Sequence, residues 1–226
     1  MTIWIFISAI FAPALFWSLY LYYKDRIRPE PIRYLGVSYL LGIAAAVFCV
    51  QFYKLLQLIG IPEDPSFLMD NQRALFFLYS IGIIGVVEES FKFLPFIFVL
   101  LKIKSFDERI DGIIYASMIA LGFASYENMR YLVYLNGFEL FGRAFASPLT
   151  HTIFSSIWGY VVGIAKIKKR PILMLAVKSL AAASILHGLF NFFTTSSTLR
   201  FASSFLILVI WIWRIRAIKK IEPKKD

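Results

Sequence analysis

Glu88 and Glu89 are adjacent carboxylates inside an otherwise apolar stretch from Ala74 to Leu101, with Lys92 and Pro95 one and two turns further on. On insertion scales each ionised group costs about 2.5–3.5 kcal/mol at a bilayer centre. Three such groups therefore belong against other helices or a wet cavity, and groups of that kind are functional candidates. Glu88 and Lys92 are four apart, share a helix face and can pair. Glu89 points about 100° away around the helix and needs a partner from elsewhere. Two carboxylates this close ionise in separate steps, which suits one of them to take a proton from water and return it to a leaving group. Pro95, further along the same helix, predicts a kink that opens space beside these carboxylates.

Four further residues extend this chemistry. Glu127 sits in Phe123-Ala-Ser-Tyr-Glu-Asn128, with Phe123 one turn before it and Arg130 three residues on as the simplest partner. The chain has two histidines, His151 in Ser147-Pro-Leu-Thr-His-Thr-Ile-Phe154 and His187 in Leu186-His-Gly-Leu-Phe-Asn191. A single histidine in an apolar helix is ordinarily a packed core residue, and an ion pair is the plain reading of a buried glutamate. His187 departs from that pattern because Asn191 shares its face, and two donors one turn apart can hold a developing oxyanion. Glu and His are also zinc ligands. The sequence lacks His-Glu-x-x-His, and neither histidine has a second one turn away. The expectation is hydrolysis without a cofactor, with zinc left open. No Gly-x-Ser-x-Gly and no aspartate within a span core favours a serine or aspartyl mechanism. Lys54, Arg130 and Lys178 lie toward the ends of apolar runs and reach the interface by snorkelling.

The elements that must position these groups are membrane helices. Of the 226 residues 59% are hydrophobic and 17% charged, against about a quarter charged in soluble domains. Apolar runs of spanning length cover Ile3–Tyr23, Tyr34–Ile59, Ala74–Leu101, Gly112–Leu135, Ser147–Ala165, Pro171–Thr195 and, shorter, Phe201–Trp213. Trp211 and Trp213 anchor the last at an interface. The fold class predicted is all-α, a polytopic transmembrane helical bundle of about seven spans forming one domain, 1–226, with its motif-bearing core at about 74–195.

Basic residues alternate with these runs. Lys24, Arg26, Arg28 and Arg33 follow the first; Lys102, Lys104 and Arg109 the third; Lys166, Lys168, Lys169 and Arg170 the fifth. Arg214, Arg216, Lys219, Lys220, Lys224 and Lys225 follow the seventh, while the alternate loops hold only Arg73, Arg143 and Arg200. This pattern places the N-terminus outside and the C-terminus in the cytoplasm of a multi-pass cell-membrane protein. It also assigns the net charge of +10 to topology, with no nucleic acid as partner. Cys49 is a core residue that cannot form an internal disulfide. Counted at 1.5 Å per residue from the outer ends, Asn191, His187 and Glu127 lie roughly 6–12 Å deep and the two glutamates roughly 20 Å. His151 is nearer the boundary, so the groups form a funnel opening outward.

At these residues the chain resembles the PrsW family of membrane proteases. The likeness lies in Glu88-Glu-Ser-Phe-Lys92, in Asp111-Gly-Ile-Ile-Tyr115 with Gly122-Phe-Ala-Ser-Tyr-Glu-Asn128, in His151 with Phe154, and in His187-Gly-Leu-Phe-Asn191. These pieces cover the third to sixth runs in the family's order. The related CAAX prenyl endopeptidases and Abi proteins usually end the first motif in Arg one position later and carry His at the position of Glu127. The resemblance implies an intramembrane endopeptidase making a site-1 cut in a membrane-spanning anti-sigma factor. It implies Glu88 or Glu89 as water activator, Glu127 and His151 as assisting groups, and His187 with Asn191 at the oxyanion. Lys92, Phe123, Asn128 and Phe190 would support them. Two other classes use buried carboxylates without proteolysis, a proton- or cation-coupled transporter and a non-catalytic membrane scaffold. Transporters often have related halves, which this sequence lacks, and a cation path has no need of a His–Asn pair.

Overall fold

Pro31 and Pro171 stand immediately before two of the longest helices, where a fixed φ and a missing amide hydrogen cost nothing. Gly60, with φ of 84°, reverses the chain after the first of these, its amide donating to Gln57 O at 3.0 Å. The computed structural model describes residues 3–131, 134 and 137–221. Among them the secondary structure is helical throughout: α1 Ile3–Lys24, α2 Ile32–Leu58, α3 Leu68–Asn71, α4 Arg73–Tyr79, a π-helical segment Ser80–Gly85, α5 Val86–Phe98, a 3₁₀ turn Leu100–Lys102, α6 Asp111–Tyr131, α7 Gly137–Ile167, α8 Ile172–Thr195 and α9 Arg200–Ile221.

Within the described residues each of the seven apolar runs falls mainly on helix, and the third is the continuous unit α4–π–α5 followed by the 3₁₀ turn. By length and composition Ile32–Leu58, Ile172–Thr195 and Arg200–Ile221 can cross a membrane. Leu135, Lys224 and Lys225 lie outside the described residues. Two boundaries differ from expectation. Helix α9 continues to Ile221, carrying Arg214 into a buried position where it donates to Ser156 and Ser117. Helix α7 begins at Gly137, ten residues before the apolar run, because Glu139 and Arg143 are tolerated in its exposed and half-buried first turns.

α6 is the central helix. Every residue from Asp111 to Ser125 is buried, with α1, α2 and α7 against it. The approach to α2 is backbone to backbone: a Cβ on Gly42 would lie 2.0 Å from the Ile119 carbonyl oxygen, and one on Gly122 1.9 Å from that of Tyr39. Small residues at helix contacts serve this purpose in membranes. The π segment meets α8 in the same way, since a Cβ on Gly85 would lie 2.1 Å from Ser184 O and one on Gly188 2.5 Å from Ile81 Cα. That contact sets Glu88 and Glu89, just after Gly85, opposite His187, just before Gly188.

Candidate active site

Side chains from α5, α6, α7 and α8 meet at one point. Glu89 is fully buried and saturated with donors. Lys92 Nζ lies 2.8 Å and His187 Nδ1 3.0 Å from its Oε1, while Ser155 Oγ at 3.0 Å and Trp158 Nε1 at 2.9 Å donate to Oε2. Glu88 differs. Its Oε2 is buried without a hydrogen-bond partner and lies 3.8 Å from Lys92 Nζ, 3.7 Å from His187 Nε2 and 4.0 Å from His151 Nδ1. The pairing of Lys92 with Glu88 expected from their spacing is thus the longer of two contacts. The i,i+3 pair with Glu89 is the tight one, because α7 and α8 bring the remaining donors to that carboxylate.

Both imidazoles are backed by carboxylates. His187 donates from Nδ1 to Glu89 and turns its Nε2 toward Glu88. His151 Nε2 lies 2.7 Å from Glu127 Oε2, and its Nδ1 accepts from Lys92 at 2.8 Å. The two rings stand edge to face, centroids 5.1 Å apart. With α7 starting at Gly137, His151 lies at mid-helix, deeper than its run predicted, and this depth is what lets it reach Lys92. Arg143 donates to Glu127 Oε1 at 3.2 Å. Arg130, the partner expected for Glu127, turns instead to Glu63 at 2.6 Å.

Aromatic rings close the apolar sides. Phe154 stacks on His187 with centroids 5.0 Å apart, and Phe190 packs behind Phe154 at 5.7 Å. Phe123 lies 5.6 Å from the His151 ring and 4.5 Å from Lys92 Nζ. Asn128 is buried and donates to Ala144 O of α7 at 3.4 Å. A cavity of ≈ 200 Å³ reaches the cluster, lined by Glu88, Glu127 and Asn191 at depth and by Glu63, Asp64 and Pro65 of the α2–α3 loop toward its mouth. Glu89, Lys92, His151 and His187 do not line it. The volume is sufficient for several waters beside polar partners.

The geometry thus brings Glu88, Glu89, Glu127, His151 and His187 together with Lys92, and puts Asn191 on the same cavity. The sequence reading passed over Ser155, Trp158 and Arg143. An indole in the middle of an apolar helix needs an acceptor, and that signal could have found Trp158. Arg143 lies outside the apolar run, so counting spans hid it.

Residues 30–215 match the family described as PrsW family intramembrane metalloprotease. Similar curated proteins are the Protease PrsW of Oceanobacillus iheyensis, 36% identical over 220 residues covering 95% of this chain and 94% of the relative, and that of Clostridioides difficile, 33% identical over 222 residues covering 93% and 87%. The Bacillus subtilis Protease PrsW is 30% identical over 218 residues, covering 95% and 94%. No solved structure matches the chain.

Proposed function

Because this chain belongs to the PrsW family and is an intramembrane protease, we propose that it hydrolyses a peptide bond of a membrane-spanning protein at the Glu88–His151–His187 cluster. The observation that carries this reading is the convergence of carboxylates and imidazoles from four helices at one point, where Glu88, Glu127 and Asn191 line a cavity. The chain is a multi-pass protein of the cell membrane with seven spans, its basic loops cytoplasmic and its N-terminus outside. The cavity mouth at Glu63–Pro65 then opens outward, on the side poor in Lys and Arg. A cut on the extracytoplasmic side fits the site-1 cleavage of a membrane-spanning anti-sigma factor, the substrate that the resemblance implies.

Glu88 is the proton acceptor in this reading. It lines the cavity with an oxygen free of partners, whereas every donor around Glu89 is already directed at that carboxylate. Water attacking the substrate carbonyl gives its proton to Glu88, which returns it to the leaving amide nitrogen. Asn191 donates to the carbonyl oxygen as negative charge develops. His187 adds a second donor from Nε2 when its ring carries both protons, with Glu89 as counter-charge. Glu127 fixes the orientation of His151, and Lys92 balances the two adjacent glutamates.

The family description favours a second reading, with a metal. Glu88, His151 and His187 each offer a ligand atom within 4.8 Å of the others. Each imidazole donates its far nitrogen to a carboxylate, the arrangement that orients metal-bound histidines, and the Glu88 Oε2 is buried and unpartnered. Two His and one Glu suit zinc. Lys92 Nζ has to withdraw from His151 Nδ1 for that nitrogen to bind. With Lys92 withdrawn, the three residues fit the ion, which would polarise the carbonyl and lower the pKa of a bound water; Glu88 would then be a ligand.

Cleavage of a single-span substrate in reconstituted membranes tests both readings. Activity lost in Glu88→Gln supports the site, and full activity there removes it. Activity that survives exhaustive chelation, with no metal found by elemental analysis of the purified protein, leaves the glutamate reading. Loss on chelation with recovery on adding zinc selects the metal.

A further inference from the structure

At the opposite end of the bundle a second carboxylate cluster is built from parts that the hydrolytic site does not use. We propose that the corner between the α1–α2 loop, the α5–α6 loop and the first turn of α6 binds a hard divalent cation, Mg²⁺ or Ca²⁺, through Asp25, Glu108 and Asp111. One carboxylate oxygen from each of the three lies within 4.8 Å of the others. Asp25 and Asp111 are 3% and 1% exposed, so these are not surface acids dispersed in water. Asp111 Oδ2 accepts the amides of Asp107 at 2.8 Å and Glu108 at 2.6 Å. Its Oδ1 is buried and receives no N–H or hydroxyl donor; the group interacting with this carboxyl is that of Glu30, itself an acid. An orphaned carboxylate oxygen among other carboxylates costs free energy that a cation would recover.

The neighbouring cations, Arg28 and Lys166, compensate the cluster only in part. Asp25 Oδ2 accepts the Glu30 amide at 2.7 Å, which fixes the loop and adds no positive charge. Glu30 itself is a fourth buried carboxylate and accepts from Tyr115 Oη, which lies 3.0 Å from Ser105 Oγ. Arg28 reaches Glu108 at 3.2 Å, but its side chain is 72% exposed and its charge is largely shared with solvent. Lys166 places its ammonium over the Phe106 ring, 3.9 Å from the centroid. Asp111 and Tyr115 are one turn apart and face the same corner, so this site also gives a use to the Asp111–Tyr115 motif.

Donor type identifies the ligand class. All the donors here are oxygens, which suit Mg²⁺ or Ca²⁺ completed by water, whereas the hydrolytic cluster offers imidazole nitrogens. The bound cation would tie two loops and the start of the central helix together and so stabilise the bundle.

The test uses the full chain purified in detergent and stripped with chelator. Its melting temperature and the heat of titration are followed as Mg²⁺ or Ca²⁺ is added. The expected result is a saturable rise of a few degrees with one of the two, not reproduced by Na⁺ at equal ionic strength. Glu108→Gln and Asp111→Asn should raise the half-saturating concentration by at least about tenfold, and His187→Ala should leave it unchanged. Asn at position 111 still accepts the two loop amides; should that variant not fold, Glu108→Gln decides alone. No shift with either cation, or an equal shift in Glu108→Gln, overturns the proposal. So does equal potency of Na⁺, which would mark simple charge screening. A shift lost in His187→Ala would place the binding at the hydrolytic cluster instead, and would equally overturn it.

Discussion

The two adjacent glutamates should fail in different ways when each is made neutral. In Glu89→Gln the buried charge opposite Lys92 disappears, and an amide group that donates replaces an oxygen that accepts. Lys92, His187, Ser155 and Trp158 all aim donors at that carboxylate, so at least one is left facing another donor. Removing one partner of a buried ion pair costs about 3–5 kcal/mol. At about 2–4 °C per kcal/mol for a chain of this size, the melting temperature should fall by roughly 6–20 °C. In Glu88→Gln the lost contacts are all 3.7 Å or longer, and Lys92 keeps Glu89. Stability should change by on the order of 1 kcal/mol, while cleavage falls about 10²–10⁴-fold through loss of the proton acceptor. The assay pairs thermal unfolding in detergent with cleavage of a single-span substrate in proteoliposomes. Equal melting temperatures for the two variants would refute the assignment of Glu89 as the structural member. Wild-type cleavage by Glu88→Gln would refute that of Glu88 as acceptor.

Other expectations follow from single contacts. Trp158→Phe removes one donor to Glu89 and should cost about 1.5–3 kcal/mol in unfolding measurements; an unchanged melting temperature would mean the indole bond contributes nothing. Arg143→Ala should slow cleavage by roughly tenfold, the equivalent of about 1.5 kcal/mol for a charge-assisted bond, with most of the rate restored by Arg143→Lys. Identical rates for all three forms would release Glu127 from that arginine. Gly188→Ala places a Cβ 2.5 Å from Ile81 Cα and Ser80 O, which are backbone atoms that cannot step aside. It should destabilise by about 1–3 kcal/mol and impair cleavage through displaced His187, and a fully active, stable variant would contradict the close packing of α8 on the π segment.

Helix positions and most members of the buried polar cluster were legible in the sequence, because apolar length marks a helix and a charge inside it marks a constraint. The wheel geometry that paired Glu88 with Lys92 allowed Glu89 equally, since i,i+3 and i,i+4 neighbours share a face. Contacts from α7 and α8 decided between them, and such contacts have no signature in one helix. The π-helical segment Ser80–Gly85 was likewise hidden. Its sequence is apolar with two glycines, and only the requirement to meet Gly188 makes the wider turn visible. The late start assigned to the fifth run arose because hydropathy stops at Arg143 and Glu139, whereas helical hydrogen bonding does not. Asp25, Glu30 and Glu108 lay in loops where acidic residues attract no notice, although burial pushes the Asp25 carboxyl up to about 7 and raises that of Glu30.

The enclosure of α6 bears on how the molecule is made. A helix with fifteen consecutive buried residues, Asp111 to Ser125, has no side suited to lipid chains and can dock on α1 and α2 as soon as it emerges. Its remaining face stays uncovered until α7 has been synthesised. A chain halted before Gly137 would therefore hold its central helix only half wrapped.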